Sequence, residues 1–273
     1  MLLNFALGLA LSALMGLGGY YKAALSKSGV VGAIIIGTTI FALGGWTWGA
    51  LLIAFFVSSS FLSSFKKKDK AFVTKAFDKG SQRDLGQALA NGGPGALMAL
   101  LSVVWPAGWW WYAFLGAIGT VNADTWATEL GILSRQTPRL LTNGKKVPAG
   151  TSGGVTVVGT LAALGGGLFI GLVAWGLGGV WLNGEALPAA GRPVVLIAGL
   201  GGLAGALFDS LLGATLQSMY RCDMCGQETE RTACCAKPTR HLRGLPWLNN
   251  DWVNFSSAIM GALAALGVGW LLT

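Results

Sequence analysis

The chain has 273 residues, of which 53% are hydrophobic and only 11% charged, with 43 glycines, a mean hydropathy of +0.60 and a formal net charge of +8. So few charges do not cover a water-facing surface, which excludes an ordinary soluble domain and points to a membrane protein. Nucleic-acid binding explains the positive balance poorly, because the basic residues fall where topology signals fall and no aromatic stacking platform is interleaved with them.

A helix needs about 20 mostly apolar residues to cross the hydrocarbon of a bilayer. The apolar runs predict about eight spans, near 1–19, 29–44, 46–63, 85–104, 108–133, 153–181, 193–217 and 252–272. The expected fold class is therefore all-α: one polytopic transmembrane helical bundle forming a single domain over 1–273. The first run, "MLLNFALGLALSALMGLGGYYKA", lacks a basic n-region and reads as a retained helix rather than a secretory signal. The second is short and the fourth is interrupted by Gly92, Gly93 and Pro94, so a re-entrant or broken segment is the alternative to a simple crossing at each.

Basic residues alternate along this pattern. Loops near 20–28, 64–84, 134–152 and 218–251 hold Lys22 and Lys27; Lys66, Lys67, Lys68, Lys70, Lys75, Lys79 and Arg83; Arg135, Arg139, Lys145 and Lys146; and Arg221, Arg231, Lys237, Arg240 and Arg243. The remaining connections hold only Arg192. The positive-inside rule makes the basic loops cytoplasmic and puts both termini outside, in the plasma membrane of a prokaryote. The lysine run 66–70 reads as a topology signal resting on anionic head groups.

Polar residues then enter the apolar runs at one side. In "KGSQRDLGQALANGG", Arg83, Gln87 and Asn91 recur every four residues and form one helical stripe. In "NADTWATELG", Asn122, Thr125 and Glu129 share a stripe, with Asp124 and Thr128 on a neighbouring face. An unpaired carboxylate in hydrocarbon is costly, so Asp124 and Glu129 require a cation, a base or a metal; an internal ion pair that only orients helices is the plainer alternative. "GTSGG", Gly150, Thr151, Ser152, Gly153 and Gly154, follows basic residues and leads toward a span. It suits a phosphate cradle at a helix N-terminus, with Thr151 and Ser152 as caps, or a flexible loop. Gly201, Gly205, Asp209 and Gly213 form a small-residue ridge with an acid in its middle, which packing alone explains poorly. In "LNNDWVN", Asn250, Asp251 and Asn254 open the last span; Asp251 suits an N-cap or first-turn acid, and the amides suit a polar head group. Cys222, Cys225, Cys234 and Cys235, with His241 after them, form a candidate structural Zn²⁺ site.

Carboxylates, arginines, lysines and a glycine-rich helix start on one side are what phosphoryl transfer uses. The segments "SKSG", "KGSQRDLGQALANGG", "NADTWATELGILSRQTPRLLTNGKKVPAGTSGGVT", "GALFDSLLGATLQ" and "CDMCG…LNNDWVN" resemble the integral membrane family that contains plant plastid phytyl-phosphate kinase and its bacterial, archaeal and animal relatives. That family is more distantly similar to CTP-using lipid kinases such as dolichol kinase and phytol kinase, on Asp124, Ala127, Gly131, Lys145 or Lys146, and Gly150 to Gly154.

The resemblance implies transfer of a phosphoryl group from CTP or another nucleoside triphosphate to a prenyl monophosphate. The expected roles are Mg²⁺ on Asp124, Glu129 and Asp209, and nucleotide phosphates on Arg135, Arg139, Lys145, Lys146 and Gly150 to Gly154. Arg83, Asn91, Asn122, Asn250, Asp251 and Asn254 would meet the acceptor, and tryptophan-rich spans would enclose its tail. A CTP-dependent cytidylyltransferase and a lipid-phosphate transporter or flippase stay open beside the kinase. The expected partners are the nucleotide, the prenyl phosphate and membrane lipid.

Overall fold

The computed structural model describes residues 2–66, 69–70, 82–134, 136–178 and 193–272. Lys67, Lys68, Lys75, Lys79, Arg135 and Arg192 lie outside the described residues. Within them the chain forms helices α1 (Leu2–Tyr21), α2 (Lys27–Ser64), α3 (Leu85–Val104) and α4 (Trp109–Gly131), then α5 (Val157–Leu177), α6 (Pro193–Thr215) and α7 (Asn250–Leu272). All of these except α4 are long and apolar enough to cross a membrane.

The starts of four helices are written locally. Ser26 caps α2 by accepting from Gly29 N, Asp84 and Gln87 form a capping box on α3, and Thr156 caps α5 by accepting from Gly159 N. The Asn249 side chain accepts from Trp252 N at the start of α7, so the cap there is Asn249, and Asp251 is the first-turn acid.

Helix α2 merges the expected second and third spans, and it is not straight. Gly45 has φ 79° and ψ −168°, a conformation that glycine adopts without a Cβ penalty. A straight helix would separate residues 26 and 60 by about 51 Å. Instead Arg83 meets both: its carbonyl accepts from Ser26 N at 3.0 Å, and its guanidinium donates to Ser60 Oγ at 3.4 Å. The chain therefore reverses at Gly45 and returns its two ends to one side. Helix α3, by contrast, is continuous through Gly92, Gly93 and Pro94, as the simple-crossing reading has it, and the broken alternative is not taken. Pro94 is buried, and neighbouring helices compensate a lost backbone bond in such a setting.

Helix α4 is the axis of the bundle. Every residue from Trp111 to Ala123 is buried, on all faces of the helix. It packs against α2, α3, α5, α6 and α7. Close approach depends on small residues. A Cβ on Gly119 would sit 2.8 Å from the Ala198 carbonyl oxygen, and one on Gly201 would sit 2.8 Å from Ala265 Cβ. The Gly201–Gly205–Asp209–Gly213 ridge thus packs as its spacing predicts, with Gly205 against Thr120 and Gly213 against Ser152. Large apolar residues such as Leu14, Leu161 and Leu263 are exposed on the outside, where lipid replaces water.

The all-α expectation needs one addition. Strands β1 (Arg139–Leu140) and β2 (Gly154–Val155) pair antiparallel between α4 and α5. Between α6 and α7, β3 (Met219–Arg221) lies between β4 (Glu228–Thr229) and β7 (Arg240–Arg243), and β5 (Ala233–Cys234) pairs with β6 (Lys237–Pro238). These strands are two to four residues long, too short for an alternating pattern to register in the sequence.

Candidate functional site

A polar cavity of about 330 Å³ lies at one end of the bundle, a volume in the range of small-molecule sites. It is lined by the C-terminal turns of α4 and α6, the N-terminal turns of α3, α5 and α7, and the loop from Ala149 to Thr156. Arg83, Asn91, Asp124, Glu129, Asp209, Gly150 to Gly154, Asn250 and Asn254 all reach it. The chain reversal at Gly45 and the antiparallel order of the other helices bring these distant segments to the same end.

One wall is acidic. Asp124 from α4 and Glu230 from the loop after β4 both act electrostatically on Asp209, while the nearby Ser257 hydroxyl donates to the Val253 carbonyl at 2.7 Å. The Asp209 Oδ2 atom is buried and has no hydrogen-bond partner among the described residues. Four acids line the cavity against a single cation among the described residues, Arg83. Half-buried carboxylates crowded in this way call for a positive counter-charge, which Glu129 finds in a lysine. Mg²⁺ binds through one or two carboxylates plus phosphate oxygens, and Asp124 with the open Oδ2 of Asp209 supplies that donor set. The described acids do not gather into a three-ligand cluster, so the expected set of Asp124, Glu129 and Asp209 is not brought together around one centre.

Glu129 is engaged differently from its expected role as a metal ligand. Ser63 Oγ donates to its Oε1 at 2.5 Å and Lys70 Nζ to its Oε2 at 2.6 Å. Lys70 is only 2% exposed and also donates to the Leu62 carbonyl at 2.6 Å. The lysine expected among lipid head groups is therefore a buried partner of Glu129, and both carboxylate oxygens are committed.

The opposite wall is rich in donors. Gly150 and Gly153 have φ of 86° and 80°. A Cβ at Gly153 would collide with the Ala214 backbone, so this position needs glycine for both conformation and space. The amides of Gly150, Ser152 and Gly153 find no acceptor among the described residues. Strand β2 and the Thr156 cap separate this loop from α5, so Thr151 and Ser152 are not helix caps: Thr151 Oγ1 donates to the Pro148 carbonyl, and Ser152 Oγ to Gln217 Oε1 at 2.6 Å. Three helix N-termini also face the cavity through Gln87, Gly159 and Asn250, and such termini favour anions.

Arg83 stands at the edge of this wall, above the rings of Phe55 and Phe56 at 5.7 and 5.8 Å from their centroids. Burial lowers its pKa and the Glu129 charge raises it, yet a guanidinium keeps its proton in either case. Its only side-chain hydrogen bond among the described residues is the long one to Ser60, which leaves further N–H groups for a ligand.

Several expected site residues are placed elsewhere. Asn122 is 0% exposed; its Oδ1 accepts from Ser58 at 2.8 Å and Ser59 at 3.4 Å, and its Nδ2 donates to the Gly166 carbonyl at 2.8 Å. It ties helices together from a fully buried position and does not line the cavity. Arg139, Lys145 and Lys146 are exposed and do not line the cavity. The Arg139 guanidinium closes its own turn on the Gly144 carbonyl at 2.9 Å. Asp251 does not line the cavity, although its neighbours Asn250 and Asn254 do. Among the described residues no tryptophan lines this cavity or the apolar one beside it; Trp48 and Trp111 pack in the core against Phe114.

Gln217 and Glu230 were not visible as site residues in the sequence. Gln217 Nε2 donates to Glu230 Oε1 at 2.9 Å, continuing the chain from Ser152 and fixing the glycine loop to the cysteine-bearing module. Gln217 ends the "GALFDSLLGATLQ" ridge two turns beyond Asp209, a usable signal; Glu230 carries none, because it sits among ordinary charged loop residues.

The four cysteines converge. Their Sγ atoms all lie within 4.8 Å of one another, with Cys225–Cys234 at 3.9 Å and Cys234–Cys235 at 3.8 Å. Tetrahedral Zn–S bonds of about 2.3 Å place sulfurs about 3.8 Å apart. Positive φ at Cys235 and Ala236, 52° and 58°, turns adjacent thiols toward one centre. Hydrogen bonding, led by the Cys225 backbone, pulls the Cys222 thiol down to about 7, while bonds from Cys222 and Cys235 push Cys234 up to about 12. His241 is outside the group, edge-on to Tyr220 at 5.5 Å between ring centroids.

Residues 10–262 match the family described as Integral membrane protein DUF92. The chain belongs to that family. Among DUF92 relatives it is 33% identical over 270 residues to Protein PGR of Arabidopsis thaliana, covering 92% of this chain and 91% of that one. It is 34% identical to Uncharacterized membrane protein MJ0933 of Methanocaldococcus jannaschii, over 71% and 75% of the two chains. Identity to Protein VTE6, chloroplastic, of Arabidopsis thaliana is 26%, over 89% of this chain and 64% of that protein. No solved structure matches the chain.

Proposed function

We propose that this DUF92 protein is a membrane kinase that transfers the γ-phosphoryl group of a nucleoside triphosphate, CTP by preference, to a prenyl monophosphate. The observation that carries the reading is the two-walled cavity: Asp124 and the open oxygen of Asp209 face free backbone amides and helix N-termini. That pairing suits a phosphate chain bridged by a divalent ion. The resemblance to the phytyl-phosphate kinase family supports it, as does the match to the chloroplast protein VTE6. The site would face the cytosol, where the nucleotide is, and both termini would lie outside.

Asp124 and Asp209 would hold the Mg²⁺, which supplies charge neutralisation at the phosphoryl oxygens. The amides of Gly150, Ser152 and Gly153 would cradle the nucleotide phosphates, and Arg83 with Asn91, Asn250 and Asn254 would orient the acceptor phosphate. An oxygen of the prenyl phosphate forms the new O–P bond while the bond from the γ-phosphorus to the bridging oxygen breaks, and CDP leaves. A phosphate monoester is already anionic at neutral pH, so the step needs no strong general base. Lys70 and Ser63 would fix Glu129 as a positioning residue. The four thiols would hold a structural Zn²⁺ that keeps Glu230 and Gln217 against the glycine loop.

The test is turnover by purified protein in micelles with Mg²⁺, labelled CTP and geranylgeranyl or phytyl monophosphate. Prenyl diphosphate with CDP is the expected result. Pyrophosphate release would replace the kinase with a cytidylyltransferase, and no turnover across nucleotides and acceptors would favour a transporter.

A further inference from the structure

Beside the polar cavity lies a second, apolar one, bounded by Met15 of α1 and by Ile36, Phe41, Leu52 and Phe55 from the two arms of α2. Its walls are hydrocarbon apart from Ser12 of α1 and one polar end, where Arg83, Gln87 and Asn91 close it. Those same three residues line the polar cavity, so the two spaces meet at one polar stripe on α3 and the turn before it. Glycines make the space: a Cβ at Gly92 would sit 2.5 Å from Ile36 Cγ2, and one at Gly19 would sit 2.9 Å from Phe56 Cζ. The Arg83 guanidinium rests on the rings of Phe55 and Phe56, with its charge at the seam between apolar and polar space.

We infer that the apolar chamber between α1 and the arms of α2, about 80 Å³, holds the head-proximal carbons of the tail of a lipid whose monophosphate head is read by Arg83, Gln87 and Asn91. This rests on the kinase reading for its substrate class, but the geometry makes a separate demand. A soluble anion would use the polar cavity and leave the chamber empty, and a neutral lipid would leave the Arg83 N–H groups that find no acceptor among the described residues without a partner at the seam. An amphiphile with an anionic head meets both spaces at once. Phe41 closes the far end, packed on Gly49 on the other side of the Gly45 reversal, and so limits how much of the tail is enclosed.

The experiment is photolabelling of the full-length protein in nanodiscs with geranylgeranyl monophosphate carrying a diazirine on the tail close to the phosphate. Mapped labels are expected on the peptides that contain Met15, Ile36 or Phe41. Unlabelled geranylgeranyl monophosphate is expected to compete, and inorganic phosphate is not. The matching alcohol probe is expected to label about tenfold less, as is the Arg83→Gln variant with the phosphate probe, the factor that one charge-assisted hydrogen bond supplies. Equal labelling by the alcohol, or labels confined to the lipid-facing side of α1, would overturn the inference. Because Arg83→Gln can disturb the junction it occupies, Leu52→Trp provides a second variant that fills the chamber and is expected to abolish labelling. Chamber labelling without turnover would uphold the inference and overturn the kinase; turnover with labels elsewhere would do the reverse.

Discussion

Lys70 and Glu129, separated by 59 residues of sequence, meet at 2.6 Å between Nζ and Oε2, with the lysine almost wholly buried. The pair joins the segment after α2 to the polar end of α4. Removing one partner leaves the other charge stranded. Lys70→Met is expected to destabilise the protein by about 3 kcal/mol, and Lys70→Met with Glu129→Gln to recover much of that. Reversible unfolding of the two single variants and the double variant in mixed micelles measures the coupling.

Asn122 is expected to behave as a structural residue. Its three hydrogen bonds hold Ser58, Ser59 and the Gly166 carbonyl, and Asn122→Ala removes all three in a fully buried place. A stability loss of about 1–3 kcal/mol is expected. Turnover per folded molecule is expected to stay near wild type, which steady-state kinetics normalised to the folded fraction would check.

The glycine loop and the basic loop beside it are expected to separate cleanly. Gly153→Ala imposes a side chain at φ 80° against the Ala214 backbone and is expected to cost about 1 kcal/mol or more while raising the nucleotide KM. Lys145→Ala with Lys146→Ala removes two exposed charges that face away from the cavity and is expected to leave kcat/KM within about threefold at physiological salt, where such charges are screened.

Zinc content is expected to be one ion per chain, set by Cys222, Cys225, Cys234 and Cys235. Elemental analysis of the wild-type protein decides this directly, and Cys234→Ser is expected to lose the ion. Four thiols titrating freely in the unmodified protein, with no metal, would contradict it. His241→Ala is expected to retain zinc, since its ring packs on Tyr220 outside the cluster.

Much of the fold was legible because lipid imposes length and apolarity on each crossing, and the Gly45 reversal falls between two runs that the sequence already separates. Asp124 and Asp209 stood out for the same reason: a carboxylate in an apolar run needs an explanation. The partner of Glu129 was hidden because Lys70 lies in a lysine run whose ordinary use is topology. Asn122 shared a stripe with Glu129, but only the packed neighbours reveal that its amide binds helices together. Arg139, Lys145 and Lys146 pointed to phosphate by composition, whereas the short β1–β2 pairing turns them outward. Glu230 reaches the cavity through a module held by four cysteines, a tertiary fact with no local signature.

The central claim is that Asp124 and Asp209 form a divalent-ion site completed by nucleotide phosphates. Its most direct test is a Mn²⁺ titration, followed by electron paramagnetic resonance, of the wild-type protein with a non-hydrolysable CTP analogue, beside Asp209→Asn and Asp124→Asn. Saturable loss of the free-ion signal at one site per chain, dependent on the nucleotide and weakened about tenfold or more in both variants, is the expected result. Equal binding by all three proteins, or none by the wild type, would contradict the account.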